Sequence, residues 1–157
     1  MIIDSSLEMA DNAAVPTAGT ITSPLVIGQS IDLRPLVADN ATVDLSAGEP
    51  IYLVIEVTDP IVGDASFANY RFRAYTHTAS VTAPTSSPGS EILSTGNTAK
   101  ALLVTGKRWI YTLPETVYER WLMITGSANG GAVTGGNINA YLTKDVTNWT
   151  STNTRTG

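Results

Sequence analysis

The stretch NGGAVTGG, Asn129 to Gly136, holds two pairs of glycines at a spacing that could cradle a phosphate on backbone N–H groups. A phosphate loop of the G-x-x-x-x-G-K-[ST] type needs Lys and then Ser or Thr after its last glycine, with a helix following. Asn137 and Ile138 stand in those places, and NINAYLTKD beyond them alternates as a strand does. RWLMITG before the loop also reads as a strand. The expectation is therefore a connection between two adjacent strands, where glycines supply positive φ and room for a wide or bulged turn.

The remaining chemical inventory is sparse. His77 is the one histidine, so any Ser-His-Asp arrangement must use it. It alternates with Arg71, Arg73 and Tyr75 on one strand face, which reads as a polar sheet position rather than a general base. With no cysteine, disulfides, thiolate metal sites and cysteine nucleophiles are excluded. One histidine gives a transition metal no ligand set, and DPIVGDAS (Asp59 to Ser66) lacks the dense carboxylates of an EF-hand loop. Two carboxylate pairs, Glu56 with Asp59 and Glu115 with Glu119, are close enough in sequence to be tested as glycosidase acids. Both are expected at strand ends or in turns, among solvated charge. Trp109, Tyr111, Trp121 and Tyr141 could stack on a sugar, but at alternating strand positions they read first as core or interface anchors. The expectation is a protein that is not an enzyme, with no cofactor and no metal.

The elements that position these residues are strands. At 157 residues the chain fits one domain, and its charged fraction of 15% is well below the usual level of about 25%. In PIYLVIEVTDP (Pro50 to Pro60), Ile51, Leu53, Ile55 and Val57 share one face. In FANYRFRAYTHTA (Phe67 to Ala79), Tyr70, Phe72 and Ala74 oppose the Arg71, Arg73, Tyr75 and His77 face. LVIGQSIDL, KALLVTG, RWIYTLP, RWLMITG and NINAYLTKDV add further runs, separated by turn clusters such as TAPTSSPGS. Helix signals are thin: a capping box from Ser5 to Glu8 within SSLEMADNAA, and the proline-led PETVYERW (Pro114 to Trp121).

The pattern predicts an all-β fold, a jelly-roll-like β-sandwich of about eight antiparallel strands with long loops and extended termini. Residues 1–24 are expected as an extended or short-helical arm, 25–147 as the sandwich, and 148–157 as a polar tail. Net charge is −5 and no basic stripe exceeds a pair, which argues against nucleic acid as a partner. No apolar run reaches membrane-spanning length, and MIIDSSLEMADN lacks the positive start of a signal peptide, so synthesis in a host cytoplasm is expected.

Three segments in order, MIIDSSLEMADNAAV, GEPIYLVIEV and ERWLMITGSANGGAVTGGNINAYLTKDV, resemble the capsid cement (decoration) proteins of short-tailed bacteriophages. The resemblance does not extend to the loop HTASVTAPTSSPGS or to the tail after Trp149. It implies a jelly-roll sandwich on the outer surface of an icosahedral head, binding the phage major capsid protein and itself as a homodimer or homotrimer. On that reading, the residues taken as candidate capsid or subunit contacts are Ile2, Ile3, Asp4, Leu7 and Met9, the exposed face of Arg71, Arg73 and Tyr75, and the polar tail around Trp149. The alternative is a carbohydrate- or receptor-binding sandwich using Trp109, Trp121 or Trp149.

Overall fold

A computed structural model describes residues 7–17, 24–33, 50–83, 89–114, 116 and 118–144. Among the described residues nine strands run in the order β1 (Glu8–Ala14), β2 (Leu25–Asp32), β3 (Tyr52–Gly63), β4 (Asn69–His77), β5 (Ser90–Ser94), β6 (Thr98–Ala99), β7 (Arg108–Thr112), β8 (Trp121–Asn129) and β9 (Val133–Thr143). They form two antiparallel sheets, one of order β1-β9-β3-β7 and one of order β2-β8-β4-β5 with β6 also paired to β4. Most connections cross from one sheet to the other, which is the jelly-roll arrangement the pattern predicts.

The alternation in sequence builds the core directly. Leu53, Ile55 and Val57 of β3 and Ile138, Ala140 and Leu142 of β9 meet Tyr70, Phe72 and Ala74 of β4 and Leu122, Ile124 and Ala128 of β8. Each large side chain removed from water there contributes about 1.5–3 kcal/mol. An edge-to-face series of rings, Phe67 to Tyr70 to Phe72 to Trp109, carries the packing from β4 across to β7 in the facing sheet. Tyr70 fits because Gly126 lies beneath its phenol: a Cβ at that position would run into the hydroxyl. That hydroxyl is buried without a hydrogen-bond partner, and burial pushes its pKa up.

The sandwich is tied along its β1–β2 side. Gly28, at φ +68° in the β2 bulge, lets the Met9 carbonyl approach where any Cβ would collide with it. Gln29 Nε2 donates to Glu8 O across the same seam. The free edge of β2 is covered by the loop that the sequence left unplaced: Ser30 N donates to Val81 O, Ala83 N to Gly28 O, and Val81 N to Ser30 Oγ.

Several local expectations are corrected. The capping box does not open a helix, because Glu8–Ala14 is a strand on β9 that buries Met9 and Ala10, bulging where Asn12 takes φ +45°. Residues 8–14 are thus a full member of the four-stranded sheet rather than an arm ahead of it. Pro60 does not end β3, which continues to Gly63 through register shifts that remove the need for a proline N–H. The described residues of Pro114 to Trp121 are not helical; Tyr118 is buried, its hydroxyl donating to Pro114 O at 2.6 Å. Most consequentially, β8 and β9 are not neighbours in one sheet. They occupy central positions in opposite sheets, so the glycine-rich stretch between them is a crossover and not a hairpin.

Two substitutions check the core. Gly126→Ala is expected to destabilise by about 1–3 kcal/mol through overpacking against Tyr70. Tyr70→Phe is expected to hold or raise Tm, since it removes a hydroxyl buried without a partner. Thermal denaturation measures both, and a clear fall in Tm for Tyr70→Phe would show that the hydroxyl is satisfied in solution.

Candidate functional site

Two features outside the core concentrate polar side chains. The first is the corner where the β8–β9 crossover meets the turn after β3. Asp64 Oδ1 accepts from Ser66 N, Ser66 Oγ and Phe67 N, each at 2.9 Å, and Oδ2 accepts from Ala132 N at 3.0 Å. In return Asp64 N donates to Ala132 O at 3.0 Å. Glycine is required on the other side: a Cβ on Gly131 would strike the Asp64 carboxylate, and one on Gly130, at φ +92°, would strike Ser66 O. Lys100 Nζ closes the corner by donating to the carbonyls of Gly63 and Asp64, 5.7 Å from the centre of the Phe67 ring. The hydrogen bonds from Ala132, Ser66 and Phe67 hold the Asp64 carboxyl below the ordinary carboxylate value of 3.8, the bond from Ala132 N contributing most. The stretch NGGAVTGG is therefore docked on its own chain. Asp-x-Ser, a turn signature in which the side chain accepts from the backbone two residues on, was the signal for Asp64.

The second feature is the outer face of the five-stranded sheet. On β4, Arg71, Arg73, Tyr75 and His77 project from it, paired in register with Ser127, Thr125, Met123 and Trp121 of β8. Arg71 Nε donates to Asn97 Oδ1 at 2.9 Å. Arg73 is buried, its side chain 8% exposed, with Nε 3.7 Å from Glu91 Oε2. That same oxygen accepts from the Tyr75 hydroxyl at 3.2 Å. Arg73 Nε and Ser127 Oγ are both buried without a hydrogen-bond partner. His77 Nδ1 is occupied by the backbone of Ala79, at 3.0 Å from its O and 3.1 Å from its N.

The other sequence candidates scatter. Leu7 packs partly buried against the core and Met9 is inside it, so Met9 presents nothing to a partner. Ile2, Ile3, Asp4 and Trp149 lie outside the described residues, as does Glu115. Glu56 is not at a strand end but within β3, ion-paired to Arg108 at 2.7 Å beside Tyr141. Burial pushes the Tyr141 hydroxyl up to about 12. Among the described residues no group of three or more His, Asp or Glu could hold a metal ion. Both described tryptophans carry a cation from their own chain: Lys107 Nζ lies 5.5 Å over Trp109, and Arg120 Cζ 4.9 Å over Trp121. Arg120 is further fixed by Asp32 at 2.8 Å.

Fold and surface together define a two-sheet jelly-roll domain whose crossover is locked by a carboxylate and whose five-stranded sheet presents an arginine-bearing outer face. The Bbp16 family model matches residues 5–142, and the chain belongs to that phage-related family. No curated protein matches the sequence.

The Asp64 corner yields a pH prediction. A carboxylate with a depressed folded-state pKa stabilises above its unfolded value and loses that contribution as pH falls through the folded value. The Tm gap between the native protein and Asp64→Asn is expected to be constant above about pH 5 and to close below the ordinary value of 3.8. Melting curves across pH 2–7, about five points, check it; a gap that persists unchanged at the acid end counts against the carboxylate as the lock.

Proposed function

We propose that the protein is a capsid cement protein: a structural component of a phage virion that binds the outer surface of an icosahedral head and strengthens contacts between major capsid protein subunits. The observation that carries this reading is the match to a phage-related family over residues 5–142, on a chain whose three ordered motifs resemble cement proteins. The fold suits the task. A jelly roll with its crossover pinned by Asp64 and its β2 edge covered by residues 81–83 presents a stiff surface, which keeps the ordering cost of docking low.

Binding of this kind works by multivalency. A homodimer or homotrimer touching several shell subunits at once gains from effective concentration, so individually weak contacts suffice. The sugar-binding alternative draws less support, because the Trp109 and Trp121 rings already stack with Lys107 and Arg120.

The test is sedimentation of purified protein with undecorated heads. The protein is expected in the pellet when heads are present and in the supernatant when they are absent. Protein left in the supernatant with saturating heads would defeat the proposal.

A further inference from the structure

We propose that the outer face around Arg71 and Arg73 is a carboxylate-binding site, and that its occupant is an acidic side chain of the phage shell; the identity of that occupant rests on the cement reading above. Arg71 and Arg73 project from the same face of β4, about 6.6–7 Å apart along the strand. Ser127 stands directly across from Arg71 and next in line from Arg73. Both guanidinium groups lean to the other side of β4, Arg71 bonding Asn97 and Arg73 approaching Glu91 of β5.

The charges on this face are unbalanced. Arg108 and Arg120 each hold a carboxylate at 2.7 Å and 2.8 Å. Arg71 has the neutral Asn97 as its hydrogen-bond partner. Among the described residues Arg73 has only Glu91 as an ionic partner, at 3.7 Å through an oxygen that already accepts from Tyr75. Among the described residues, two cations against one distant anion leave this face positive on a chain of net charge −5. A partner with acidic groups is repelled by the rest of such a molecule and drawn to this spot.

The buried atoms point the same way. Arg73 Nε and Ser127 Oγ are buried donors with no acceptor, and a buried donor left unpaired is costly. Arg71, half-buried, is the accessible fork, suited to gripping a carboxylate through two parallel N–H bonds. A carboxylate gripped there lies beside Arg73, two residues along the same face, and adds the close anion that Glu91 at 3.7 Å does not provide. The competing surface is apolar: Val62, Leu102 and Val104 are the exposed large hydrophobics among the described residues, at 46%, 55% and 53%. Leu102 and Val104 flank Leu103, whose carbonyl accepts from Ile61 N next to Val62. That stretch carries Asp59 and Asp64 as well as Lys100 and Lys107, so it has no charge preference to identify a partner.

The experiment has two arms. In the first, the native protein, Arg71→Gln, Arg71→Lys and Leu102→Asp are sedimented with undecorated heads over a series of salt concentrations. Native binding is expected to weaken with salt. Arg71→Gln should bind about tenfold more weakly at low salt with a shallower salt dependence, Arg71→Lys should recover only part of the loss, and Leu102→Asp should bind as the native protein does. Equal binding and equal salt slope for Arg71→Gln would overturn the proposal, as would loss of binding confined to Leu102→Asp. In the second arm, a hexaglutamate peptide and inorganic phosphate are titrated into the isotope-labelled protein by NMR. The peptide is expected to shift the amides of Arg71 to Tyr75 and Ser127, with the shifts absent in Arg71→Gln. No peptide-induced shift on this face, or saturation by phosphate at lower concentration than by peptide, would overturn the carboxylate assignment. Peptide shifts without native binding to heads would sink the cement reading and leave the carboxylate site standing.

Discussion

The carboxylate of Asp64 fixes the corner at which the chain leaves the centre of one sheet and enters the centre of the other. β8 is flanked by β2 and β4, and β9 by β1 and β3, so the short link between them joins two strands that are each paired on both sides. Such a link has few residues in which to turn, and its backbone groups must still find partners. Asp64 supplies them from 68 residues away, accepting from Ala132 N while its own N–H bonds Ala132 O. The glycines at 130 and 131 are needed because that carboxylate and the Ser66 carbonyl occupy the space where side chains would be. What read in the sequence as room for a wide turn is close approach.

A second glycine does the same work at the opposite seam. Gly28 admits the Met9 carbonyl, and the β2 bulge around it collects Val81 and Ala83 onto the strand's free edge. Covering an edge in this way limits uncontrolled strand pairing, a hazard for any sandwich that is to bind a partner selectively. Three other cations of the described surface are held within the molecule: Arg108 by Glu56, Arg120 by Asp32, Lys100 by two carbonyls. Against that background the incomplete pairing of Arg71 and Arg73 stands out as a property of the face and not of arginines in general.

The strands that read most clearly in sequence were those whose two faces differ. β4 alternates large apolar residues with Arg71, Arg73, Tyr75 and His77, and its core face is as the alternation predicts. β1 was illegible for the opposite reason. Its seven residues carry two bulges and a positive φ at Asn12, so no period of two survives, and a capping box at its start mimics a helix. The candidate face was visible as a row of residues but not as a site. That Arg73 is buried, that Ser127 faces Arg71, and that Glu91 is 3.7 Å away depend on β4 pairing with β8 and β5, some 50 and 20 residues distant.

The sequence alone determined the class of fold and the strands on either side of NGGAVTGG, because these follow from composition and local alternation. Only the tertiary structure decided which strands are neighbours, that NGGAVTGG crosses between sheets, and which arginines lack a close carboxylate. The physical reason is that alternation records which face of a strand is buried and says nothing about what it is buried against. Pairing in a jelly roll is almost wholly non-local, so two strands adjacent in the chain end in opposite sheets while their local patterns remain those of a hairpin.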